Sequence, residues 1–203
     1  EFLGGGVQCP LAAETDWTQA PEALLAAWEY IPAKMLLDCG QLLQSRIGDG
    51  ASERVAWNET TVELVRLSKA HTYLFMMRSF LDSCLEVSNP EVRTALLRLF
   101  NLFVLYQMEQ HLAMLLEEGY FNADQAKHLR RSVHKAIQAV RQDAVPYVDA
   151  FSFSDFVVQS PLGRKDGNMY EHYFNEVTTQ HPPRERPAWY ETLIRPFFKN
   201  TME

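Results

Sequence analysis

Chemistry in this 203-residue chain would have to come from 6 histidines, 26 acidic residues and 3 cysteines, and their spacing limits what they can do. A Glu-x-x-His step on a helix is the element of a di-iron bundle, but such a site needs two copies and further glutamates. His111 follows Glu109 and Gln110, which is the wrong spacing. Glu14, Glu29 and Glu117 have no histidine three residues on. His71 stands alone in a helical pattern, without a second histidine or carboxylate at metal-ligand spacing, and reads as a packed or solvated side chain. His128 has carboxylates nearby, an arrangement that bundle surfaces carry routinely. Cys9, Cys39 and Cys84 make no C-x-x-C and are not paired locally, which fits a reduced intracellular compartment. G-x-S-x-G, H-E-x-x-H and the dinucleotide-binding glycine fingerprint are absent. Gly4-Gly5-Gly6 has no strand before it and no G-K-[ST] after it, so it reads as a flexible lead-in. From residue chemistry, no catalytic residue and no metal ligand is expected, and the chain is expected to work by packing or binding.

One stretch is dense in unusual residues. In Asp143–Tyr173, the segment Pro161-Leu162-Gly163-Arg164-Lys165-Asp166-Gly167-Asn168 alternates glycine, proline and charge with no helical period. Phe151, Phe153, Phe156, Val157 and Val158 precede it; Met169, Tyr170, Tyr173 and Phe174 follow. A loop with such apolar edges is expected to be packed down on something. Gly163 and Gly167 permit backbone conformations closed to other residues. Arg164 and Asp166 can pair with each other or cap the flanking helices.

The elements that position this stretch are helices. Pro21 and Glu22 open the first, and Leu24, Trp28, Ile31, Met35, Leu36, Cys39, Leu42 and Leu43 give it an apolar stripe. Pro32 predicts a kink or a division into two pieces, and Gly48-Asp49-Gly50 ends it. A second helix starts within Ser52–Thr61 and runs to Ser88; Asn58 or Thr60 is its expected cap, with Glu63 completing a capping box after Thr60. The Asn58-Glu59-Thr60 sequon reads as this helix start. Asn89-Pro90-Glu91 opens a third helix, apolar on nearly every side from Leu96 to Leu116 and therefore central or buried in an interface. Glu117-Glu118-Gly119 closes it. Asn122 and Gln125 start a fourth, with a stripe of Ala126, Leu129, Val133, Ile137, Val140 and Val145 that Pro146 kinks or ends. No strand pattern alternates anywhere. The expected fold is all-α: an up-down bundle of four long helices plus a C-terminal loop and short helices.

Size allows one domain with a single substantial core, or one domain with a tail. Residues 1–20 read as an irregular lead-in and 21–200 as the helical domain. The net charge of -7 gives no global attraction to nucleic acid or anionic lipid. Lys127, Arg130, Arg131 and Lys135 read as a solvated helix face. Leu96–Tyr106 is too short for a membrane span and contains Arg98 and Asn101. The first residues lack a signal-peptide layout, and a start without Met suggests a fragment or processed product.

Two stretches resemble a known family. Val55-Ala56-Trp57-Asn58-Glu59-Thr60-Thr61-Val62-Glu63-Leu64-Val65-Arg66, followed by Lys69-Ala70-His71, is similar to the start of a long helix in the C-terminal domain of peroxisomal acyl-CoA oxidases. Arg141-Gln142-Asp143-Ala144-Val145, Val148-Asp149-Ala150-Phe151 and Leu162-Gly163-Arg164-Lys165-Asp166-Gly167-Asn168-Met169-Tyr170-Glu171 resemble that family's closing segment, roughly D-A-V-x-L-V-D-A-F and then L-G-R-x-D-G-N-V-Y-E. The resemblance covers about residues 20–200.

It implies α,β-dehydrogenation of a fatty acyl-CoA, in which a glutamate removes the α-proton, FAD takes the β-hydride and oxygen reoxidises the flavin to give hydrogen peroxide. In that family the flavin and substrate sit mainly between earlier domains. The catalytic glutamate lies upstream in a Glu-Gly-x-Asn-like motif, which Glu118-Gly119-Tyr120-Phe121 does not reproduce in the right context. The chain is therefore expected to be the last domain of such an oxidase, partnered by the earlier domains and a homodimer mate and not holding FAD alone. Two readings of the loop stand. It is a rigid turn locking the following helix onto the bundle, or it faces the flavin domain or dimer partner, with Gly163, Arg164, Asp166, Gly167, Asn168 and Tyr170 as candidate cofactor-shaping residues. On either reading, an apolar patch is expected on the chain's surface beside the loop. A stand-alone helical interaction module derived from this domain, without flavin or catalysis, is the alternative. Peroxisomal location follows from the resemblance, although the final Asn200-Thr201-Met202-Glu203 is not a Ser-Lys-Leu-type address; otherwise the expectation is cytoplasmic.

Overall fold

Pro21 begins α1 (Pro21–Gly48), which runs through Pro32 without dividing. Burial of Trp28, Ile31 and Pro32 itself against the core outweighs the roughly 3 kcal/mol that an interior proline costs a helix. The computed structural model describes residues 7–180, 186–187 and 189–199; Gly4–Gly6 lie outside them. The chain falls into two compact units, Glu1–Ala144 and Val145–Glu203. Every regular element among the described residues is helical.

In the first unit, α2 (Glu53–Glu59) and α3 (Thr61–Glu86) replace the single second helix expected. Ser52 caps α2 through the amide of Val55. Thr60 does not cap α3 with its side chain: it is fully buried at the joint, and its hydroxyl donates to the carbonyl of Ala56 at 2.8 Å. The hydroxyl is thereby committed to the turn behind it, so no capping box forms. Asn89 caps α4 (Pro90–Gln110) by accepting from the amides of Glu91 and Val92. His111 interrupts that helix before α5 (Leu112–Glu117), its ring Nδ1 lying 2.8 Å from the Gln107 carbonyl. Asn122 and Gln125 form both legs of the capping box that opens α6 (Ala123–Arg141). That helix ends at Arg141, ahead of Pro146, which lies in a separate short helix, α7 (Ala144–Asp149).

The core is made where α1 packs on α3 and α4 packs on α1, α3 and α6. Phe100, Val104, Leu105 and Met108 of α4 are fully buried there, as a helix apolar all round requires. From α6 the buried stripe is Ala126, Leu129, Val133 and Ala136, whereas Ile137 and Val145 are exposed.

The irregular residues ahead of α1 are part of this core. Leu11 is 3% and Trp17 0% exposed. Gln125 donates to the Leu11 carbonyl at 2.7 Å and Asn101 to the Thr18 carbonyl at 2.9 Å, both buried. Asp16 pairs with Lys135 at 2.6 Å, and Cys9 donates its amide to the Tyr120 carbonyl. The segment is a strap pinned across the α4–α6 seam.

The second unit comprises α7 from Val145 on, α8 (Asp155–Val158), a 3-10 turn (Pro161–Gly163), α9 (Met169–Gln180), and a π-helical turn (Tyr190–Ile194) leading into α10 (Arg195–Lys199).

Candidate functional site

The charged and glycine-bearing residues of the family-like loop meet between α8 and α9. Gln159 ends α8 in the left-handed region at φ 46°. The chain then folds back through Ser160, whose hydroxyl accepts from the Leu162 amide. Gly163 is needed for space rather than for its backbone angles. A Cβ there would lie 2.5 Å from Cγ1 of Val158. Gly167 is needed for conformation, with φ at +73°.

Asp166 is the hub. Its Oδ1 accepts from the Asn168 amide at 3.1 Å, fixing the entry to α9. Its Oδ2 lies 2.6 Å from Nε2 of His172 and 3.5 Å from Nε of Arg164. Arg164 reaches the other way, with Nη2 3.4 Å from Asp155. The Asn168 amide, and then the His172 ring, hold the Asp166 carboxyl below the usual aspartate range. The Asp155–Arg164–Asp166–His172 chain thus ties the start of α8 to the first turn of α9. It borders a cleft of about 460 Å³ that Gln159, Ser160 and Glu176 also line.

The Arg164–Asp166 pairing expected from the sequence is present. Asp155 and His172 were not singled out from the sequence. His172 sits six residues beyond Asp166, at a spacing that only the turn at Gly167 turns into contact.

The apolar edges of the loop are not packed down. Phe156 is 82%, Tyr170 81%, Leu162 75% and Phe151 72% exposed, and Phe153, Val157, Tyr173 and Phe174 are exposed too. Phe151 and Phe153 stack on each other at 6.1 Å, without cover. The apolar surface expected beside the loop is therefore present.

Elsewhere several titratable residues contact the core or each other. His111 makes an edge-type ring contact with Trp28, and His128 one with Trp17. His71 is exposed. Glu118 follows α5 and pairs with Lys34 at 3.1 Å, while Gly119 takes the turn at φ +66°. All three cysteines are free and buried; burial pushes the Cys9 thiol up to about 11. Among the described residues no group of three or more His, Cys, Asp or Glu could hold a metal ion, and no helix is long and apolar enough to cross a membrane.

Comparison with known proteins matches the acyl-CoA oxidase family over residues 20–199. Peroxisomal acyl-coenzyme A oxidase 2 of Mus musculus is 31% identical over 196 residues, which are 95% of this chain and 28% of that protein. The structure superposes on acyl-CoA oxidase 1 of Yarrowia lipolytica with a TM-score of 0.82 at 25% identity, covering 98% of this chain and 29% of that one. Acyl-CoA oxidase-1 of Caenorhabditis elegans, complexed with FAD and ATP, gives a TM-score of 0.80 at 26% identity over 88% of this chain and 27% of that one. The chain thus spans less than a third of the length of each of these relatives.

Proposed function

The chain belongs to the acyl-CoA oxidase family, and from that premise we propose that it forms the C-terminal helical part of an FAD-dependent enzyme converting fatty acyl-CoA to trans-2-enoyl-CoA and hydrogen peroxide. Its part in that enzyme is to pack against the remaining domains and the dimer mate and to help enclose the flavin. The peroxisome is its place by kinship with relatives named for it. The observation that carries this reading is the exposed apolar edge around the Asp155–His172 network. It is a shaped, internally braced surface without a cover, at the stretch with the family's closing pattern.

The turn by itself does not fit the pyrophosphate of FAD. A dianion needs positive charge in excess of the carboxylates around it. Here the Arg164 guanidinium faces Asp155 at 3.4 Å and Asp166 at 3.5 Å, its buried Nε making no hydrogen bond, and Glu176 adds a third carboxylate, so carboxylates outnumber the one guanidinium beside the cleft. This supports a bracing role for Gly163, Arg164, Asp166, Gly167 and Asn168, with Tyr170 presented outward. No reaction step is assigned to this chain's residues.

The test is to express the complete reading frame containing this chain, the same frame lacking residues 145–203, and the 203 residues alone. The expected result is flavin absorbance and acyl-CoA-dependent peroxide only with the complete frame. Flavin retained by the 203 residues alone, or full activity without 145–203, sinks the proposal. A colourless, inactive complete frame favours the stand-alone interaction module.

A further inference from the structure

None of the described residues of Val145–Glu203 is buried. The contrast with the first unit is large, because every member of the buried core lies between Cys9 and Ala136. The second unit is not poor in apolar residues. Val145, Val148, Phe151, Phe156, Tyr170, Tyr173, Trp189 and Phe197 are each more than half exposed. Folding a segment costs about 1–2 kcal/mol of backbone entropy per residue, and apolar burial is the main term that offsets it. Its short helices cannot supply the difference, since isolated helices of this length are marginal in water. The Asp155–Arg164–Asp166–His172 network is partly exposed, and such pairs contribute little net stability. The network sets the register of α8 against α9, while the stability must come from elsewhere.

We propose that Val145–Glu203 folds by docking, and that its core is completed by the part of the oxidase polypeptide outside this chain. This rests on the functional reading above. The relatives extend over more than three times the matched length, which supplies a partner surface in the same polypeptide. A partner apolar enough to cover aromatic side chains, and shaped to admit the braced turn, is the occupant the exposed face calls for. The helical arrangement described for this unit is its docked form.

Hydrogen exchange followed by mass spectrometry tests this on the 203-residue chain and on the complete oxidase. In the chain alone, amides of 146–180 and 190–199 should exchange within about tenfold of unprotected rates, while α4 and α6 are protected by about a thousandfold or more. In the complete oxidase the same amides should gain at least about a hundredfold protection. Phe156→Asp, at a side chain already 82% exposed, should leave the chain alone unchanged and remove at least about tenfold of the gained protection.

Three outcomes overturn the proposal: protection of 145–199 in the monomeric chain, protection that appears with a concentration-dependent dimer (a second copy is then the cover), or no protection in the complete oxidase. The two readings fail separately. A flavin-free, inactive oxidase that still protects 145–199 sinks the enzymatic reading and leaves docking intact. An active one with 145–199 unprotected does the reverse.

Discussion

Gln125→Ala should destabilise the first unit by about 2–3 kcal/mol, far more than an ordinary helix-cap loss. Gln125 is 8% exposed and works on two fronts. Its Oε1 accepts from the Asn122 amide at 2.9 Å as one leg of the capping box. Its Nε2 donates to the carbonyl of Leu11, 114 residues away, at 2.7 Å. Losing the capping leg costs about 0.5–1 kcal/mol. Losing the second bond leaves the Leu11 carbonyl unpaired beside a side chain only 3% exposed, which costs about 1–3 kcal/mol. Asn122→Ala removes only capping bonds and should cost about 1 kcal/mol. In urea unfolding, with a slope near 1.5 kcal/mol/M, the Gln125 variant should lower the midpoint by roughly 1.3–2 M and the Asn122 variant by less than about 1 M. Gln125→Glu sharpens the test. It keeps the acceptor for Asn122 but turns an oxygen toward the Leu11 carbonyl. A buried carboxylate facing the Leu11 carbonyl favours protonation in the folded state, so this variant's deficit should grow as pH rises and shrink in acid, where the carboxylic acid can donate. If Gln125→Ala costs no more than Asn122→Ala, or Gln125→Glu matches the wild type at neutral pH, the strap is not held in this way.

Three further outcomes are expected. Asp16, whose carboxyl is lowered by its bonds to Lys135 and Thr18 despite some burial, contributes stability that is complete above the aspartate range and lost as pH falls through and below it. The gap between wild type and Asp16→Asn in urea titrations should therefore be constant near neutrality and close in acid; a gap that widens in acid contradicts the sign. Gly167→Ala places a Cβ at φ +73°, a strain of about 1 kcal/mol, and should speed exchange of the Asn168 and His172 amides in the complete oxidase about fivefold; an unchanged rate shows that the turn relaxes freely. The buried thiols of Cys9, Cys39 and Cys84 should resist a water-soluble disulfide reagent in the native chain and react promptly in urea, so rapid native labelling counts against their burial.

What could be read from the sequence follows the range of the interaction involved. The caps at Asn89 and at Asn122 with Gln125 were legible because cap, proline and partner lie within three residues of one another. The all-round apolar helix was legible as central because α4 has neighbours on three sides. Competition between nearby groups was harder to read. Thr60 has the right type for a cap but bonds backwards, and Ser52, eight residues earlier, caps the separate short helix α2. The break at His111 carries no glycine or proline to announce it. The strap was not legible at all. Its anchors join Thr18 to Asn101, Leu11 to Gln125 and Asp16 to Lys135 across 83, 114 and 119 residues. No local pattern encodes a carbonyl that is to be met by a distant glutamine. In the turn, the Arg164–Asp166 pair was legible from adjacency, while Asp155 and His172 depended on how the chain reverses at Gly163 and Gly167.

The second of the two stretches that carry the family resemblance, Leu162–Glu171, lies where the chain is least buried. In a domain that stands alone, sequence identity concentrates in the core because packing restricts which side chains fit. Here Leu162, Tyr170 and the charges between them are surface residues of this chain, yet their arrangement is tightly specified. Gly163 is fixed by contact with Val158, Gly167 by its backbone angle, and Asp166 by an amide, a guanidinium and an imidazole. A solvated loop has no need of such definition. A surface that must match a partner does, because a misplaced aromatic edge leaves a cavity of the same cost as one in a core. The charge network is then best understood as a template. Its own contribution to stability is small, but it holds the apolar edges at the spacing from which docking can draw a large one.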